Sequence, residues 1–110
     1  MSTIIAAGAY HTAALTSAGR LVTFGDNSYG QTSVPVLEDG ETYTAVSAGS
    51  WHSAAVTSAG RLVVFGDNSC GQTNVPVLND GETYTAVSAA HFHNAALTSA
   101  GRLVAFGENR

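Results

Sequence analysis

Along the middle of the chain the apolar positions fall in short runs, at 43–48 (Tyr-Thr-Ala-Val-Ser-Ala), 52–57 (His-Ser-Ala-Ala-Val-Thr) and 61–65 (Arg-Leu-Val-Val-Phe). Each is stopped by small or turn-forming residues: Gly49, then Ser58-Ala59-Gly60, then Gly66-Asp67-Asn68-Ser69. Ala-Ala-Leu and Ala-Ala-Val favour helix. Yet such a stop arrives roughly every six to ten residues, too soon for an ordinary helix of about 11. Runs of this length between such turns predict strands. Ser58-Ala59-Gly60 has the length of a hairpin turn. A fourth, shorter strand is expected over 74–78, where Pro76 removes a ladder donor and so belongs at a sheet edge. Asn79-Asp80-Gly81-Glu82 then turns the chain onward.

The pattern is written three times. His11, His52 and His93 are 41 residues apart, as are Gly19, Gly60 and Gly101, and Gly25, Gly66 and Gly107. The stretch 58–78 stands earlier as 17–37, and its first half returns as 99–109. Between 11–48 and 52–89 the copies differ only at Thr12/Ser53, Leu15/Val56, Thr23/Val64, Tyr29/Cys70, Ser33/Asn74 and Glu38/Asn79. Such uniformity points to recent duplication or deliberate construction, and it makes most residues reporters of a scaffold. One repeat domain, 1–110, is expected, with unit cores at about 3–37, 43–78 and 84–109.

Four short antiparallel strands in a unit of about 40 residues predict a β-propeller blade, whose sheet is covered on both faces by its neighbours. That accounts for strands that are small and apolar on both sides; a sandwich would leave a polar face on each. The expected fold is all-β, with three four-stranded blades. In the third copy Arg110 aligns with Ser28 and Ser69, so its outer strand is absent. Three blades are too few to close a ring. Apolar faces are then left at both ends, with an open edge along Arg102, Leu103, Val104 and Phe106 that invites pairing. The expectation is head-to-tail self-association, with a dimer giving six blades or a trimer nine. Such contacts become finite only if the rotation closes.

Charge and chemistry narrow the function. With a net charge of -4, four Arg and no Lys, no cationic stripe is available for nucleic acid. The arginines sit at repeat-equivalent or terminal places and read as scaffold. Cys70 is a lone thiol whose repeat partner is Tyr29, so no disulfide is implied. No basic segment precedes the first apolar residues, and no run approaches the roughly 18 residues that span a bilayer. A soluble intracellular protein, cytoplasmic or nuclear, is expected, without membrane contact.

His11, His52 and His93 invite a metal reading, but each comes from a different blade. A structural role is simpler, with the ring capping a backbone group beside the Gly49-type turn. His91 stands two residues before His93. Asp26 to Gln31 fails as a calcium loop, since Gln31 and Leu37 occupy the sixth and twelfth positions, where Gly and Glu are needed. No nucleophile and base stand apart from the repeat, so neither catalysis nor a cofactor is expected. Gly25, Gly66, Gly107, Gly30 and Gly71 read as turn positions. The residues that vary are Ala9-Tyr10, Ser50-Trp51 and His91-Phe92, which keep an aromatic as a class on the loop between the first and second strands. These aromatics either form a protein-binding face or wedge between blades.

The combination Ala48-Gly49-x-Trp51-His52-Ser53-x-Ala55-Val56, followed by Ala59-Gly60-Arg61-Leu62-Val63-Val64-Phe65-Gly66-Asp67-Asn68-Ser69-x-Gly71-Gln72, resembles the repeat of the regulator of chromosome condensation family. The resemblance implies a propeller of four-stranded blades, usually seven, that binds other proteins through the loops of one face. It also implies an alternative function, activation of guanine-nucleotide exchange on a small GTPase.

Overall fold

The β-branched and aromatic runs form strands where their spacing predicts them. The computed structural model describes residues 4–8, 11–16, 18–25, 27, 34–35, 37, 40–66, 75–78, 80–89 and 93–107. In chain order their strands are β1 (Ile4–Ala7), β2 (His11–Leu15), β3 (Leu21–Gly25), β4 (Tyr43–Ala48), β5 (His52–Thr57), β6 (Leu62–Gly66), β7 (Tyr84–Ala89), β8 (His93–Thr98) and β9 (Leu103–Gly107). They pair into three antiparallel sheets, β1-β2-β3, β4-β5-β6 and β7-β8-β9. Each is one blade.

The third strand begins one residue later than predicted, at Leu62 instead of Arg61. Arg61 is used by the hairpin: Thr57 N–H donates to its carbonyl (2.9 Å), and its own N–H donates to Thr57 Oγ1 (3.2 Å). The ladder therefore starts at the Val56–Leu62 pair. In the third blade, Arg102 likewise precedes β9. Thr44 and Thr85 are extra residues in bulges of β4 and β7. Their hydroxyls donate to the carbonyls of Val56 (3.1 Å) and Leu97 (3.0 Å), taking up acceptors where the ladder is disturbed.

The fourth strand is corrected in part. Its described residues, 75–78 and the equivalent Val34, Pro35 and Leu37, join no ladder among the described residues; the rest of both segments lies outside them. Side chains hold this segment instead. The Tyr43 hydroxyl donates to the Pro35 carbonyl (2.9 Å), and the Tyr84 hydroxyl to the Pro76 carbonyl (2.7 Å). Val34 and Leu37 pack against the buried cluster that joins the first two blades, Val75 and Leu78 against the one that joins the second and third. A proline that cannot donate to a ladder still offers its carbonyl, and a buried phenol needs an acceptor.

The sheets stack face to face, and burial follows. All six residues of β5 are buried, because blades lie on both sides of it. In β8 burial alternates, with Asn94, Ala96 and Thr98 covered and His93 and Leu97 exposed. The core lies at the boundaries between blades. One cluster joins Ala13, Leu15 and Leu21 of the first blade to Tyr43, Ala55 and Phe65 of the second. The other joins Val56 and Leu62 of the second to Tyr84 and Ala96 of the third.

Candidate functional site: blade boundaries and end faces

Each boundary is built from the same parts. The downstream face of a blade offers the end of its second strand and the start of its third, Leu15 and Leu21 or Val56 and Leu62. The next blade answers with its first and third strands, Val46, Val63 and Phe65 or Val87 and Phe106. Burying one such aliphatic or aromatic side chain contributes about 1.5–3 kcal/mol. Backbone joins the blades as well: Tyr43 N–H donates to the Gly19 carbonyl and Tyr84 N–H to the Gly60 carbonyl, both at 2.9 Å.

His11 and His52 join neighbouring blades. The turn beside Gly49 is closed by the backbone carbonyl of His52, which accepts from Gly49 N–H (2.8 Å); His11 does the same for Gly8 (2.9 Å). The rings reach into the next blade. His11 Nε2 lies 2.8 Å from Ser53 Oγ, and His52 Nε2 lies 2.9 Å from Asn94 Oδ1. All four residues are buried. The third, His93, is exposed. Among the described residues no three His, Cys, Asp or Glu side chains gather as a metal site.

At the two ends, these same positions meet solvent. On the first blade Ile5, Val22 and Phe24 correspond to Val46, Val63 and Phe65, and they are 69%, 45% and 57% exposed where Phe65 is 8%. On the third blade Leu97 and Leu103 correspond to Val56 and Leu62. Both are exposed large apolar residues, as are Ile5, Val22 and Phe24. Of the expected pairing edge, Leu103, Val104 and Phe106 lie on β9, with Phe106 packed back against the second blade.

Two of the four arginines, Arg61 and Arg102, have a scaffold role. Arg61 grips Glu41 with two parallel bonds (Nε to Oε2 2.9 Å, Nη2 to Oε1 2.8 Å), and Arg102 grips Glu82 at the same distances. Each ties the entry of its blade to the start of its own third strand. The glutamates are nearly buried and the arginines half exposed. Thr98 adds its hydroxyl to Glu82 (2.6 Å). Gly25, Gly66 and Gly107 end the third strands with φ of 116°, 118° and 106°.

Of the varied loop residues, Trp51 is half-buried and Ser50 is buried, so Ser50 adds no surface to that loop. Tyr10, His91 and Phe92 lie outside the described residues, as do Gly30, Gly71 and most of the 26–31 turn. No helix among the described residues is long and apolar enough to cross a membrane.

A model of the regulator of chromosome condensation (RCC1) repeat matches residues 3–31 and 43–72, more than half of the chain. The chain belongs to the RCC1 repeat family. The two matched segments run past β3 and β6, so the RCC1 signature covers the three paired strands of the first two blades. Solved structures superpose on nearly the whole chain. Prp20p from Saccharomyces cerevisiae matches with a TM-score of 0.79 at 22% identity, over 94% of this chain and 30% of its own. Human WBSCR16 matches with a TM-score of 0.80 at 22% identity, over 97% and 34%. The ectodomain of the Physcomitrella patens receptor kinase CR4 matches with a TM-score of 0.72 at 23% identity, over 94% and 28%. At such identities the likeness is one of fold. The chain spans about a third of the length of these structures. No curated protein sequence matches it at a significant level.

Proposed function

We propose that the chain is a non-enzymatic propeller scaffold that joins further copies of itself head to tail into a closed ring and binds another protein through the loop face bearing Trp51. One observation carries the assembly. The residues exposed on the outer face of the first blade are the counterparts of those that seal each internal boundary, and the outer face of the third blade carries the counterparts of their partners. Stacking Leu97 and Leu103 of one copy on Ile5, Val22 and Phe24 of the next repeats a contact the chain already makes twice. The edge at β9 is a weaker reason, since β3 and β6 also lie outermost in their described sheets.

The test is molecular mass in solution by light scattering across the micromolar range. Two or three times the chain mass is the expected result, and a single-chain mass throughout overturns the assembly. For the loop face, replacing Tyr10, Trp51 and Phe92 by Ala is expected to leave the thermal melt in place; a collapsed melt assigns these aromatics to wedging. Prp20p was studied for its binding to Gsp1p and histones, which keeps a second reading, activation of nucleotide exchange on a small GTPase. It rests on family resemblance and a shared fold, and a nucleotide-release assay with no acceleration removes it.

A further inference from the structure

We infer that the junction between copies is latched by His93 of one copy and Thr12 of the next, an inference that rests on the head-to-tail reading above. Inside the chain the second-strand histidine of a blade contacts the residue 42 positions further on, His11 to Ser53 and His52 to Asn94. His93 holds the same place on β8 and is exposed. Continuing the series beyond the third blade, the residue that receives His93 is the counterpart of Ser53 and Asn94 on a following first blade. That residue is Thr12, on β2 opposite Phe24 and Ala7.

The receiving position is Thr, Ser or Asn in the three blades, while the histidine never changes. A short side chain able to accept and donate serves either tautomer of the imidazole, so its polarity matters more than its identity. Once sealed between blades, a ring nitrogen without such a partner is costly. A second contact follows the same step. Ala89 N–H donates to Ser47 Oγ across the second boundary (3.0 Å), and at a copy junction Ser88 and the Ala7 N–H stand in that relation. The first boundary lacks this contact, because Ala6 stands where Ser47 would be needed.

One position opposes the junction. Gly8 has no positive φ, and it must be glycine for space: a Cβ there would run into the Gly49 carbonyl oxygen across the boundary. The sequence has Ala90 at the position corresponding to Gly8 and Gly49. The junction between copies is therefore weaker than the boundaries within a chain, and Ala90→Gly tightens it.

The experiment measures the association constant of the full chain by sedimentation equilibrium for the wild type and for T12V, T12S, T12N, H93A and A90G. Far-UV circular dichroism checks each fold. T12V and H93A are each expected to weaken one junction on the order of tenfold. A two-copy ring holds two junctions, so its dissociation constant rises about a hundredfold by the same rule. T12S and T12N, which copy the residues of the internal boundaries, associate like the wild type, and A90G associates more tightly. Wild-type association with T12V and H93A unchanged overturns the latch and leaves the head-to-tail reading standing. A wild type that never associates overturns the head-to-tail reading itself. If H93A fails to fold, the Thr12 series decides alone.

Discussion

Leu21, Leu62 and Leu103 open the same strand in successive blades, each between an arginine and a valine. Their relative exposures are 9%, 7% and 75%. Identical local sequence thus gives opposite environments, because a blade has almost no core of its own and is buried by the blade beside it. Stability in such an array is a sum over neighbouring interfaces, as in other repeat proteins. The internal boundaries hold the chain together, and the ends retain the surface that made them.

The largest expected effect comes from truncating the two leucines separately. Leu62→Ala opens a cavity in a sealed boundary and should destabilise the chain by about 2–4 kcal/mol. Leu103→Ala should change single-chain stability by less than about 0.5 kcal/mol. Urea titrations at a concentration below any association compare the two; equal losses would mean that the outer face is already covered.

The hairpin glycines sharpen the contrast. Gly60 and Gly101 have φ of 78° and 80°, where a Cβ costs about 1–2 kcal/mol. At Gly60 that Cβ would also lie 2.5 Å from Thr83 Cβ of the next blade, whereas at Gly101 nothing stands within 4 Å. Gly60→Ala should therefore lose about 1–3 kcal/mol more than Gly101→Ala, the ordinary cost of overpacking. Thermal melts of the two variants check it.

Smaller effects are expected at the tyrosines that hold the fourth segments. Tyr84→Phe removes the bond to the Pro76 carbonyl and should lose about 1 kcal/mol in a urea titration. Burial raises the pKa of the Tyr43 hydroxyl above its usual value, with Glu41 adding to the rise and Arg61 opposing it. Burial also raises that of Tyr84, against Arg102 and with a further rise from Glu82. An acid whose folded pKa is raised contributes stability that is complete below the unfolded value, about 10, and lost as pH rises through the folded one. Unfolding midpoints should hold steady up to about pH 10 and fall above it. The fall should be smaller in a Tyr43→Phe, Tyr84→Phe double variant.

Much of the fold was legible in the sequence, because a period of 41 with glycine punctuation leaves little freedom in where strands begin and end. The apolar end faces followed from counting blades. Val75-Pro76-Val77-Leu78 read as a strand because its composition is that of one; its described residues are held by a tyrosine hydroxyl and by packing, which composition does not reveal. The histidine contacts were missed for a related reason. They join residues 42 apart, one step off the repeat, so aligning the copies never sets the partners side by side. A signal was present even so. Thr12, Ser53 and Asn94 change among otherwise identical neighbours while staying short and polar. Ser50 looked like surface because it varies with Trp51 beside it, and variation alone does not separate a loop's rim from its buried base.

The strand pairs that share the most contacts lie within one blade or between adjacent blades. Contacts across a boundary therefore join residues about one repeat apart in sequence, however many blades follow. Folding rates fall as contacting residues become more distant along the chain. A chain built this way can gain blades by duplication without lengthening the loops it must close to fold, so its search grows in number of steps and not in their difficulty.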